Sequence, residues 1–237
     1  MAQSKVRTLL VYGATGKAGL LVVESALAQG WAVSAFVRNP AKIPEALRSR
    51  VTLFQGDLLD AGAVYASVIA CRPDAIVDAS SSIPFGHTKG QPPNNANRDI
   101  IARATVDALS SEGRLSDCVL IIISGQLLPE PGGTINSWPV AALAWLLRTF
   151  IARKGWREME KVVHWYFETA PASFRFIYVR MGQMLEGPSR GALIPESTFN
   201  NIQRGSASYA DVAEALIQLA SDQQRTWERK ALFFNYA

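Results

Sequence analysis

Three glycines lie three residues apart in "YGATGKAG": Gly13, Gly16 and Gly19. A residue without Cβ lets the chain turn sharply and lets backbone N–H groups at a helix start approach a phosphate. Thr15 and Lys17 stand inside the cluster and are counted with its binding residues, although a solvated lysine in a first helical turn is an equal alternative for Lys17. A P-loop is excluded, because Val11 and Ala18 occupy the positions of its first glycine and its hydroxyl. The remaining reading is a dinucleotide pyrophosphate. About twenty residues on, where an NAD site places an acid for the ribose hydroxyls, this chain has Arg38 and no acid between Ser34 and Lys42. A guanidinium binds a 2′-phosphate in bidentate fashion and a carboxylate repels it, so the expected cofactor is NADP(H).

These residues need a scaffold, and the flanking pattern supplies one. "RTLLVY" (Arg7–Tyr12) reads as a buried strand. Leu20, Leu21, Val23, Leu27 and Ala28 follow at helical spacing, Gly30 closes the helix, and "WAVSAFV" (Trp31–Val37) is a second strand. The alternation continues. "VTLFQGDLLD" is a third strand ending in Asp57, with Leu58 next, a helix runs through "AGAVYASVIA", and "PDAIVDASSS" is a fourth strand that carries Ala79, Ser80 and Ser81. "ANRDIIARATVDALSSEG" is a long amphipathic helix, and "DCVLIIIS" is a fifth strand ending in Ser124. The expected fold is α/β, a Rossmann-like doubly wound parallel sheet with helices on both faces. It is expected as one domain over 1–237, with substrate-binding elements mainly in 125–205.

Composition narrows the function. The chain has 237 residues, 49% of them hydrophobic, and a formal net charge of +4. The pI is near 9.2, but the basic residues are scattered and no nucleic-acid-binding signature accompanies them, so no nucleic-acid partner is expected. Cys71 and Cys118 sit in apolar surroundings with neither disulfide nor metal spacing. "MAQSKVR" runs straight into the first strand with no leader pattern. A cytoplasmic protein without a metal is expected, as a monomer or homodimer.

The spacing G-x-x-G-x-x-G resembles the fingerprint of extended and atypical short-chain dehydrogenases/reductases. "ISGQLLPEPGG", "YFETAPASFRFIYVR" and "GSASYADVAEALIQLAS" extend the likeness over nearly the whole chain. It is similar to the atypical NAD(P)H-binding, NmrA-like branch typified by biliverdin reductase B, or flavin reductase. The resemblance implies that Asp57 hydrogen-bonds the adenine amino group, with capping of the next helix as its alternative. Ala79, Ser80 and Ser81 then lie by the nicotinamide ribose, and Ser124 is the active-site serine, with a strand-end serine capping a turn as its alternative. The chain departs from the usual pattern in one respect. None of its six tyrosines has a lysine four residues on, and Tyr166 is followed there by Ala170. The proton for reduction must then come from water, from His164 or Tyr166 where either faces the cleft, or from the substrate.

The segment Trp138–Phe167 holds Trp138, Trp145, Phe150, Trp156, Trp165, Tyr166 and Phe167. Its apolar stretch from Trp138 to Ile151 contains Arg148 and is too short to span a bilayer. Packing is the expected role of most of these rings, with a pocket wall for a flat apolar ligand as the alternative. His87 falls in "PFGHTKGQPPNNAN", which reads as an active-site flap. The expected activity is NADPH-dependent reduction of a small aromatic or conjugated carbonyl compound, with no membrane partner. An NADP(H)-sensing regulator and a non-redox isomerase or cyclase are the alternatives.

Overall fold

Apolar runs at Thr8–Tyr12 (β1), Ala32–Val37 (β2), Val51–Gln55 (β3), Ala75–Asp78 (β4) and Val119–Gly125 (β5) form the strands expected of them in a computed structural model. It describes residues 6–80, 96–125, 127–135, 137–151, 153–197 and 205–237. Further along lie β6 (Arg175–Met181), β7 (Gln183–Leu185), β8 (Leu193–Ser197), β9 (Ser206–Ser208) and β10 (Lys230–Tyr236). The helices are α1 (Lys17–Ala28), α2 (Glu45–Arg48), α3 (Ala61–Cys71), α4 (Ala96–Ser111), α5 (Trp138–Leu146), α6 (Arg153–His164) and α7 (Tyr209–Ala220).

Eight strands make one sheet in the order β3-β2-β1-β4-β5-β6-β10-β8. All neighbours run parallel except β8, which closes the edge antiparallel to β10. A separate parallel pair, β7 with β9, lies outside that sheet. Strands buried on both faces read as unbroken apolar runs, and successive residues serve opposite layers. Leu9 and Val11 join the core beneath α1 and α7, whereas Leu10 and Tyr12 join the core beneath α3, α4 and α6. The chain reverses direction of sheet growth between β1 and β4, and ligands of such sheets bind at that point, beyond the carboxyl ends of the strands.

Candidate cofactor and catalytic site

The three glycines have three different reasons to be glycine. Gly13 has φ +71°, and a Cβ there would lie 2.7 Å from the Ala79 carbonyl carbon and the Ser80 nitrogen. The turn therefore rests on the backbone at the end of β4, and Ala79 N–H donates to the Tyr12 carbonyl at 3.1 Å. At Gly19 a Cβ would come within 2.2 Å of the Gly13 oxygen, so glycine lets α1 start tight against the turn. Gly16 is different. Its φ of −82° suits any residue, and a Cβ would meet only the Gly13 oxygen, at 3.3 Å. Packing within the chain does not demand glycine at 16. The start of α1 beside it is open to an anion, because no described side chain caps that helix and its first N–H groups have no intrahelical partner.

Thr15, Gly16 and Lys17 form the exposed rim of the turn. Lys17 is neither free nor simply solvated: its ammonium pairs with Glu186, just beyond β7, which raises the lysine pKa and lowers that of the acid. Arg38 follows β2 directly and is exposed. Asp57 is exposed after β3 and accepts a hydrogen bond from Leu59 N–H at 3.0 Å. It does not cap the next helix. That is done by Asp60, which accepts from Gly62 and Ala63 N–H at 2.9 and 3.1 Å and leaves Asp57 for another role. Leu58 is half-buried against the core beneath α3 and α4. Ser81 and His87 lie outside the described residues.

At the end of β4, Asp78 accepts from the Ser80 N–H at 2.9 Å and from the Ser80 hydroxyl at 2.5 Å. Arg98, near the start of α4, is buried and donates through Nη2 to the Ser80 carbonyl at 3.0 Å and to the Ile123 carbonyl. One guanidinium thus ties the ends of β4 and β5 together and fixes Ser124 relative to the glycine turn. Ser124 is buried, and its hydroxyl lies 2.6 Å from the hydroxyl of Tyr178 on β6. Burial pushes the Tyr178 phenol up, while Arg98, the Ser124 hydrogen bond and Arg180 pull it back toward ionisation. Arg180 faces Ser124 in register, is buried, and pairs with Glu130 at 3.3 Å.

Tyr166 is fully buried and lines a small cavity shared with Arg98, Ser124 and Tyr178. Its phenol finds no partner among the described residues, and burial raises its pKa well above the usual value. His164 is not brought into this group. Its side chain is exposed and its Nδ1 lies 3.1 Å from Glu168. Sequence reasoning missed Arg98 and Tyr178. The only signal for Tyr178 is a tyrosine and an arginine in alternation at the end of the apolar run "RFIYVRM".

A family model described as NAD(P)H-binding matches residues 13–223. The chain belongs to the NAD(P)H-binding family. No curated protein sequence matches this member. Among solved structures, a wide-type short-chain dehydrogenase/reductase from Veillonella parvula DSM 2008 in complex with NADP is 16% identical, covering 97% of this chain and 94% of that one at a TM-score of 0.69. ChuY, an anaerobillin reductase from Escherichia coli O157:H7, is 21% identical, with 96% of each chain covered and a TM-score of 0.68. A Lactobacillus casei protein is 22% identical over 97% of this chain and 99% of that one, with a TM-score of 0.69. These likenesses establish the Rossmann-like fold of this NAD(P)H-binding protein. Among the described residues no helix is long and apolar enough to cross a membrane, and no group of three or more His, Cys, Asp or Glu is placed for a metal ion.

Proposed function

We propose that this protein is an NADPH-dependent reductase of a small aromatic or conjugated carbonyl compound. The observation that carries the reading is the Ser124–Tyr178 hydroxyl pair, 2.6 Å apart, beside the strand end that meets the glycine turn. Gly16 and the start of α1 hold the pyrophosphate, Arg38 takes the 2′-phosphate, and Asp57 suits the adenine amino group. The NADP complex of the Veillonella parvula neighbour agrees with that preference. Bound NADPH supplies the hydride at C4 of its nicotinamide.

The chain supplies the proton and the place for developing charge. Ser124 donates its hydrogen bond to the substrate oxygen, and its proton moves to that oxygen as the carbonyl carbon accepts hydride. The Tyr178 phenol replaces the proton at Ser124 Oγ. Arg98 stabilises the phenolate until solvent restores its proton. Burial keeps this phenol protonated at neutral pH, and Arg98 and Arg180 offset part of the rise, so the proton is held in place until charge develops on the substrate oxygen. The substrate gains one hydride and one proton.

The test is NADPH oxidation by purified protein with quinones, flavins and polyketide-like ketones, using NADPH deuterated at C4. Transfer of the label to product is expected. Ser124→Ala should lower turnover by about 10- to 1000-fold with NADPH affinity within about threefold, since a donor to developing charge acts chiefly in the transition state. Label that stays on NADPH with every acceptor would sink the redox reading in favour of a cofactor-sensing or isomerising protein.

A further inference from the structure

The expectation that most aromatic residues between 138 and 167 pack inside holds for four of the seven. Trp156, Trp165, Tyr166 and Phe167 join the cores. Trp138, Trp145 and Phe150 do not: they are 82%, 60% and 67% exposed, and Leu143 and Leu146 beside them are also exposed. Within α5 only Ala144 is buried. With Leu147 it packs on Trp156 and Met159 of α6 in a small cluster separate from the two main cores. Most of the rest of this apolar helix, with Arg148, Thr149 and Phe150 in the turn Leu147–Ile151 that follows it, stands in solvent. Trp145 and Phe150 meet edge to face at 5.6 Å, so the aromatic patch is continuous across that turn. A cluster of this size on a protein surface calls for something to cover it.

The charge around it says what. Between Glu130 and Glu158 the chain has no acidic residue and carries Arg148, Arg153, Lys154 and Arg157. Arg148, Arg153 and Arg157 are exposed. Among the described residues Arg148 alone of these three has an ion-pair partner, Glu160 at 3.3 Å, an exposed contact of the kind that yields readily to a competing anion. A second copy of this chain is a poor cover, because a two-fold contact would set these cations against their own images. A bilayer with anionic headgroups satisfies both halves of the surface. Tryptophan and phenylalanine lodge at the headgroup boundary, and arginine pairs with lipid phosphate.

We propose that α5 and the turn after it form a peripheral membrane-binding surface for anionic lipid. This goes beyond the reductase reading and stands independently of it. It also narrows the expectation of no membrane partner to the absence of a crossing helix among the described residues.

The experiment is flotation of the full-length protein, saturated with NADPH, with vesicles of equimolar phosphatidylglycerol and phosphatidylcholine or of phosphatidylcholine alone. The protein should float with the anionic vesicles, show a blue shift in tryptophan emission, and be released by about 0.5 M salt, where charge attraction is screened. Trp145→Ser combined with Phe150→Ser should weaken partitioning by about tenfold or more while NADPH affinity is kept, which also verifies folding. Arg153→Gln combined with Arg157→Gln, at exposed positions outside the aromatic patch, should lower binding to anionic vesicles toward the neutral level. Three results overturn the proposal: no flotation with either vesicle, equal flotation with both, or a dimer in solution that Trp145→Ser dissociates.

Discussion

Replacing Tyr178 by phenylalanine removes the hydroxyl nearest to Ser124 while leaving the ring among its aromatic neighbours. If that phenol is the proton source, Tyr178→Phe should lower turnover by about 10- to 100-fold, change the solvent isotope effect on turnover, and leave NADPH affinity unchanged. Steady-state kinetics in light and heavy water check this, and an unaltered isotope effect would assign the proton elsewhere. At the other end of the cofactor, Arg38→Asp should weaken NADPH by about tenfold or more and change NADH little, measured by calorimetric titration. The places of Arg38, directly after β2, and of Ser124, near the end of β5, could be read from the sequence because each stands at the end of its own apolar run. Tyr178 and Arg98 could not, because their meaning is a meeting. Tyr178 lies 54 residues from the serine it touches, and Arg98 is an ordinary helix residue until its burial at two strand ends is known.

The glycine turn separates two kinds of requirement within one element. Gly19→Ala puts a methyl group 2.2 Å from a backbone oxygen that has no room to retreat, so the start of α1 must move and thermal stability should fall by about 1–3 kcal/mol. Gly16→Val leaves the fold with a similar melting temperature, yet it should weaken NADPH by more than about tenfold, because the branched side chain takes the space of the phosphate. Thermal melts paired with cofactor titration check both variants, and equal loss of stability in the two would make the turn purely structural. The first five strands were visible as apolar runs, with ends shifted by a residue or two and by more at β4, where the run of small residues after Asp78 was read as strand. The β7–β9 pair was not, since two three-residue strands are too short to carry any periodicity. The same limit hid which acid caps α3. Asp57 and Asp60 stand three residues apart, and only backbone conformation decides which one faces the helix N–H groups.

At the scale of the whole molecule, Asp211 in the first turn of α7 ties the carboxyl-terminal third together. It accepts hydrogen bonds from the Ser189 hydroxyl at 2.5 Å, the Arg190 N–H at 2.9 Å, the Ser208 hydroxyl at 2.7 Å and the Tyr236 hydroxyl at 2.8 Å. Burial alone would raise its pKa, but these donors together hold it at about 2. A folded-state pKa below the unfolded value means stability that is present above about pH 4 and lost as pH falls through 2. Asp211→Asn should therefore cost about 2 kcal/mol at neutral pH, and the gap from the unmutated protein should close between about pH 4 and 2. Urea unfolding across that range measures it, and a gap independent of pH would locate the loss outside the carboxylate charge.

The sequence by itself determined the glycine turn of an NAD(P)H-binding chain, the alternation of strands and helices, the buried character of the sheet and the placing of an arginine after the second strand. Each of these is a local matter of side-chain size, period or charge. Tertiary structure alone decided that β8 returns antiparallel, that Tyr178 and Arg98 converge on Ser124, and that Tyr166 turns inward while His164 faces solvent. It alone separated Trp156, which packs, from Trp138, Trp145 and Phe150, which stand exposed. An aromatic side chain has the same composition and spacing in both settings, and what distinguishes them is whether another part of the chain arrives to cover it.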